Sequence, residues 1–244
     1  MRLTEHVYLV GSGLMGMNQT DPYDCNVYLL NTGDTYVLID SGAGRNPQAI
    51  IDEVVSDGLD PQNIAYIVTT HAHADHSGGA HALQELTGAT VLGGRETVRI
   101  LKANDEEAIQ LSKARRDGTY PEDYVWQGCQ QAEEITEGES LTVGPFTLEW
   151  IHTPGHSFDM VSCYVKELKA MFCADTVFAG GKIAALSTPD FSLPQLAESI
   201  ATLSRFEVED LFPGHLDPVL RMGGDAIQTA HRTFLSSNVP ASIV

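Results

Sequence analysis

The chain has 244 residues, 43% of them hydrophobic and 19% charged, and 33 acidic side chains against 14 basic ones give a formal net charge of −19. That length supports one sizeable core of ordinary globular composition. A chain so acidic repels phosphate backbones, which counts against nucleic acid as a partner, and no apolar run approaches the ~20 residues of a membrane helix.

Residues 1–10 read as a first strand, without the basic region and long apolar segment of a secretory leader. Cys25, Cys129, Cys163 and Cys173 show no CxxC spacing, which fits core thiols in a reducing compartment better than a disulfide framework. The expectation is a cytoplasmic protein.

Residues 7–10 and 26–30 predict a hairpin around a glycine-rich loop, 11–24. Leu14, Met15 and Met17 are poor surface chemistry there: they either cover a substrate or pack on the protein's own sheet. Residues 36–40 predict a strand ending in Asp40, a carboxylate that either orients a metal-bound histidine or structures its own turn. Residues 47–57 predict an amphipathic helix with Ile50, Val54 and Val55 facing inward.

The apolar run 64–68 predicts a buried strand that leads straight into His71-Ala72-His73-Ala74-Asp75-His76-Ser77-Gly78-Gly79. Imidazole nitrogen and carboxylate oxygen are the ligands of zinc and its first-row neighbours. His71 and His73 alternate, so two imidazoles can converge on one ion. Asp75 and His76 are offset enough to serve a second. Gly78 and Gly79 let the backbone turn tightly into a helix over 80–86, and 89–92 predicts a short strand.

Residues 96–116 predict one helix with Val98, Leu101, Ala108 and Leu111 as a broken apolar stripe, and 117–131 are irregular. Together they read as an insert, whose Tyr120, Tyr124 and Trp126 either shape a pocket or anchor it to the core. Beyond it, 141–143 with 146–151 and 160–165 with 170–173 predict two more hairpins. His156 follows Pro154-Gly155, Asp175 follows Cys173-Ala174, and His215 follows Pro213-Gly214 after a strand over 210–212. His152 is expected to pack or hydrogen-bond, not to ligate. Helices are predicted over 193–206, with Ser192 as cap and Pro194 in the first turn, and over 225–235. Gly180-Gly181 lead to Lys182, which either meets a substrate carboxylate at the rim of a site or is a solvated loop lysine.

The motifs HAHADH, TPGHS, CADT and FPGH, in that order over nearly the whole chain, resemble those of the metallo-β-lactamase superfamily. The resemblance implies an α/β fold, the four-layer αββα sandwich with two pseudo-symmetric halves, as one domain over 1–244 with an insert at about 96–131. Carried over residue by residue, it places His71, His73 and His156 on one metal ion and Asp75, His76 and His215 on a second, with Asp175 bridging both. Asp75 is also taken as the catalytic carboxylate. Two divalent ions are expected, zinc first, with iron or manganese as alternatives.

The implied chemistry is attack of a metal-bridging hydroxide on an ester, lactone or thioester of a small-molecule substrate. Asp175 argues against a true β-lactamase, which generally lacks this bridging carboxylate. His73 argues against the flavodiiron branch, which typically carries an acidic ligand there. Asp175-Thr176-Val177-Phe178 looks like the corresponding segment of glyoxalase II, whose C-terminal helical extension has no counterpart here. Acyl-homoserine lactonases typically have a tyrosine where this chain has Phe178. With Met15, Met17 and Lys182, Phe178 is a candidate substrate contact. The alternatives are an iron-dependent dioxygenase related to the persulfide dioxygenases, and a binding protein that has kept the fold without turnover. The oligomeric state is open, a homodimer being compatible.

Overall fold

A computed structural model describes residues 1–136 and 138–244. The chain clusters into two compact units, Met1–Ile135 and Thr136–Val244, each built on its own sheet.

The first unit carries six strands in sequence order: β1 (Val7–Gly11), β2 (Val27–Asn31), β3 (Tyr36–Ile39), β4 (Ile64–Thr69), β5 (Thr90–Gly93) and β6 (Glu133–Glu134). The first three are antiparallel, and β3 to β6 run parallel. β1 and β3 are buried along their whole length, which is why they read as continuous apolar runs and not as alternations.

Helix α1 (Pro47–Ser56) opens on Pro47, whose missing N–H is no loss in a first turn. Ile50 and Val54 enter the core as expected, but Val55 is 56% exposed, because one residue is about 100° of rotation about the axis. α2 (Ala74–Ser77) and β6 were not expected: one is a single turn, the other two exposed glutamates, and neither is long enough to show a period. α3 (Ala80–Thr87) ends on Gly88 at φ +76.

The single helix expected over 96–116 is two, α4 (Arg95–Ala103) and α5 (Leu111–Arg116). The break falls where Asn104 and Gln110 take left-handed φ of +50 and +55. Asn104 Oδ1 also accepts a hydrogen bond from Gly128 N at 2.7 Å, so its side chain serves the insert. The core of this unit gathers Val10, Leu29, Leu38, Val54, Ile67 and Trp126, among others.

The second unit has five strands in the order β11-β10-β9-β8-β7: β7 (Ser140–Val143), β8 (Phe146–His152), β9 (Val161–Val165), β10 (Ala170–Ala174) and β11 (Asp210–Pro213). β7 to β10 are antiparallel neighbours, and β11 lies parallel to β10. α6 (Leu193–Leu203) is capped by Ser192, which accepts from Gln195 N, and stops three residues before the predicted end. α7 (Gly223–Leu235) packs on α6 and β11.

All four cysteines are buried and free. Burial pushes the Cys25 thiol up to about 12 and raises those of Cys129, Cys163 and Cys173, so they behave as inert core thiols. Among the described residues, no helix is long and apolar enough to cross a membrane.

Candidate metal centre

In the first unit, β3 and β4 are parallel, so Asp40 after the one and the histidine motif after the other emerge at the same end of the sheet. The motif does not continue as strand. It folds into the one-turn helix α2, with His76 N and Ser77 N both donating to His73 O at 3.0 Å. Gly79 and Gly78 are dictated by contact. A Cβ on Gly79 would lie 2.0 Å from Ser41 O, and one on Gly78 would lie 2.3 Å from Ala43 O.

The turn brings the rings together: His71 lies 4.1 Å from His76 and 4.7 Å from His73, centroid to centroid. His71 and His76 are fully buried, whereas His73 and Asp75 keep partial access. Asp75 Oδ2 faces His76 Nε2 at 3.7 Å.

Asp40 resolves its two readings in favour of orienting the histidines. Its Oδ1 accepts from Thr70 N at 2.8 Å and its Oδ2 from Thr70 Oγ at 3.0 Å. With those donors in place, His76 Nδ1, 2.8 Å from the same Oδ2, donates as well. Thr70 Oγ, having given its proton to Asp40, is the acceptor for His71 Nδ1 at 3.1 Å. One carboxylate thus fixes both imidazoles with Nδ1 protonated and Nε2 available to a metal. Asp40 holds this place at φ +65, a conformation that costs a non-glycine residue about 1–3 kcal/mol.

The insert meets the same motif. Tyr124 Oη donates to Ala43 O at 2.7 Å, Trp126 Nε1 to Ser77 Oγ at 2.9 Å, and Tyr120 Oη to Asp75 Oδ1 at 3.0 Å. All three aromatics are buried, so of the two readings of the insert it is anchoring that the structure bears out. Burial and the neighbouring Asp75 carboxylate push the Tyr120 phenol well above the usual tyrosine range, which keeps it a donor. Sequence reasoning singled out Tyr120 but offered no partner for it. Thr70 carried no signal at all.

In the second unit, β8 and β10 both run antiparallel to β9, and β11 runs parallel to β10. Their C-terminal ends therefore fall at one end of the sheet, where the following residues carry His156, Asp175 and His215. Asp175 Oδ2 lies 3.3 Å from His156 Nε2 and 3.4 Å from His215 Nε2. His156 Nδ1 donates to Ala184 O at 3.4 Å, leaving Nε2 toward the carboxylate. Two of these turns are held in left-handed conformations by non-glycine residues, Ala174 at φ +45 and Leu216 at φ +59. Before His156, Gly155 sits at φ +140 with Leu196 N only 2.3 Å from where a Cβ would be.

The donor set suits a borderline divalent ion, being imidazole and carboxylate throughout. The separations suit one too. Two ligands of a tetrahedral ion at ~2.1 Å stand ~3.4 Å apart, and the carboxylate–imidazole pairs measure 3.3, 3.4 and 3.7 Å.

The remaining sequence candidates are placed differently. Met15 and Met17 are exposed, 39% and 45%, on a loop tied down by Ser12, whose Oγ accepts from Met17 N at 2.7 Å. Phe178 is fully buried with its ring 6.3 Å from that of His215, so it lies beside a candidate ligand. Lys182 is exposed at the end of the turn Ala179–Gly181. His152 hydrogen-bonds Phe158 O at 3.1 Å, as expected of a histidine outside the ligand set.

Residues 20–215 match the family model of the metallo-β-lactamase superfamily. The chain belongs to that superfamily, a class of metal-binding hydrolases, and its two sheets with their helices have the metallo-β-lactamase fold. It is similar to a metallo-β-lactamase family protein of Thermus thermophilus, with a TM-score of 0.74 and 20% identity over 96% of this chain and 81% of that one. Among named relatives, it is 27% identical over 190 residues to a β-lactamase-like protein 2 homolog of Caenorhabditis elegans, covering 78% of this chain and 55% of the relative. It is 24% identical over 207 residues to the chicken (Gallus gallus) acyl-coenzyme A thioesterase MBLAC2, covering 79% of this chain and 72% of that one.

Proposed function

We propose that this protein is a dinuclear metal-dependent hydrolase of small-molecule esters, lactones or thioesters, with thioesters of apolar acyl groups as the favoured class. The observation that carries the reading is Asp175 Oδ2, set 3.3 and 3.4 Å from two imidazole nitrogens, ligand-to-ligand separations that support an oxygen shared between their ions. His71, His73 and His156 would hold one ion and Asp75, His76 and His215 the other, with Asp175 on both. Zinc is the first choice, with iron or manganese as alternatives. When bound, such ions supply an acidified water at neutral pH and positive charge for a carbonyl oxygen.

The protein's own groups account for the rest. Asp40 keeps Nε2 of His71 and His76 unprotonated by fixing their tautomers. Phe178, buried and without a hydroxyl, cannot donate to a carbonyl oxygen as the lactonase tyrosine would. Leu14, Met15 and Met17 project from a hydrogen-bonded loop and would cover an apolar acyl chain. A thioester also agrees with the named thioesterase among the relatives.

The test is metal analysis with a parallel screen of acyl-coenzyme A thioesters, lactones and aryl esters. Two zinc ions per chain and turnover of at least one class are expected. One iron per chain with oxygen consumption on a persulfide, or two ions with no turnover on any class, would overturn the reading.

A further inference from the structure

We propose that Tyr120 is a positioning residue for the metal centre: it selects which oxygen of Asp75 is presented to an ion, so that the insert tunes one of the two metal sites. This rests on Asp75 being a ligand, as proposed above. Asp75 lies on a four-residue helix with its side chain 20% exposed, and the last torsion of an aspartate is broad and nearly two-fold. Left to itself, such a carboxylate could turn either oxygen inward. Tyr120 Oη donates to Oδ1 at 3.0 Å, which commits Oδ2 to His76 Nε2 at 3.7 Å, a ligand-to-ligand separation.

Tyr120 can impose that choice because it is itself immobile. Its ring stacks on Tyr124 at 4.8 Å and 22° and packs on Tyr23 at 5.7 Å. Tyr124 is pinned through its hydroxyl to Ala43 O, and through its carbonyl by Arg115, which also pairs with Glu106. The hydroxyl on Asp75 is thus carried by a buttressed stack and not by a loose loop.

The experiment titrates zinc against a chromophoric chelator with the wild-type chain, Tyr120→Phe and Tyr164→Phe. Tyr164 is a buried tyrosine of the second unit whose Oη donates to Glu207 O at 2.8 Å, so both substitutions delete one tyrosine hydroxyl, but only the first touches Asp75. Tyr120→Phe is expected to weaken one of two zinc sites by about 10- to 100-fold and leave the other unchanged. Tyr164→Phe should keep both affinities as in the wild type. In an Asp75→Asn background, Tyr120→Phe should change nothing further. Wild-type affinities in Tyr120→Phe, or equal weakening in Tyr164→Phe, would overturn the proposal. Should Tyr120→Phe fail to fold, 3-fluorotyrosine placed at 120 keeps the hydroxyl, and its ¹⁹F resonance must move as zinc is added; a stationary resonance overturns the proposal equally. A wild-type chain that binds no zinc, iron or manganese would overturn the metal reading itself, and that result is read before any variant is made.

Discussion

Asp40 shows how much one side chain can decide. It accepts from Thr70 and His76 and, through Thr70 Oγ, governs His71, so its removal should disturb two ligands at once. Asp40→Ala is expected to lower metal affinity by about 10- to 100-fold, read by chelator competition, and wild-type affinity would refute that role. Asp175→Asn should abolish turnover and empty the centre of metal while leaving the fold, read by metal content, activity and thermal unfolding together. Lys182 is the least constrained of the proposed contacts. If it meets a substrate carboxylate, Lys182→Ala raises KM for anionic substrates only; equal effects on neutral esters would leave it a surface lysine.

At the scale of elements, the candidate ligands stand on turns that strands cannot continue. Gly155 is the sharpest instance, because both its φ of +140 and the Leu196 backbone exclude a side chain. Gly155→Ala should cost more than about 2 kcal/mol. Gly58, at φ +77 with open space around it, should cost about 1 kcal/mol when made Ala. Thermal melts of the two variants compare them directly.

The loop between β1 and β2 is closed by Asp24, which accepts from Thr20 Oγ at 2.6 Å, Asp21 N at 3.1 Å and Ala43 N at 2.8 Å. Burial raises its carboxyl from 3.8 to about 6. The native state therefore holds the proton more tightly than the unfolded chain. The resulting stabilisation is complete below about pH 4 and lost as pH rises through 6, about 3 kcal/mol in all. Denaturant melts of the wild type against Asp24→Asn should show that difference in slope between pH 4 and 7, and parallel curves would remove Asp24 as the cause.

For the whole molecule, a formal charge of −19 repels any anionic substrate, and salt screens that repulsion. Raising ionic strength should increase kcat/KM for an anionic thioester and leave a neutral ester unchanged. Removing metal with a chelator should lower Tm, since ions bind the folded ligand set and not the open chain. Activity should fall below about pH 6 as the histidine ligands protonate, and excess metal should restore part of it.

By itself, the sequence indicated every strand but β6, most helices and the candidate ligands, because these rest on local pattern. An apolar run ending in HAHADH, or in a Pro-Gly-His, carries its meaning within ten residues, and the fold class was implied by the superfamily resemblance that such motifs carry together. Tertiary structure decided what depends on partners far along the chain. Asp40 could have capped its own turn; only the parallel pairing of β3 and β4 sets it beside Thr70 and His76. The stretch over 96–116 read as one helix with a broken apolar stripe, and it divides where Asn104 turns left-handed and its side chain bonds Gly128. Tyr120 and Asp75 are 45 residues apart, a separation at which no periodicity operates and only packing can choose the neighbour.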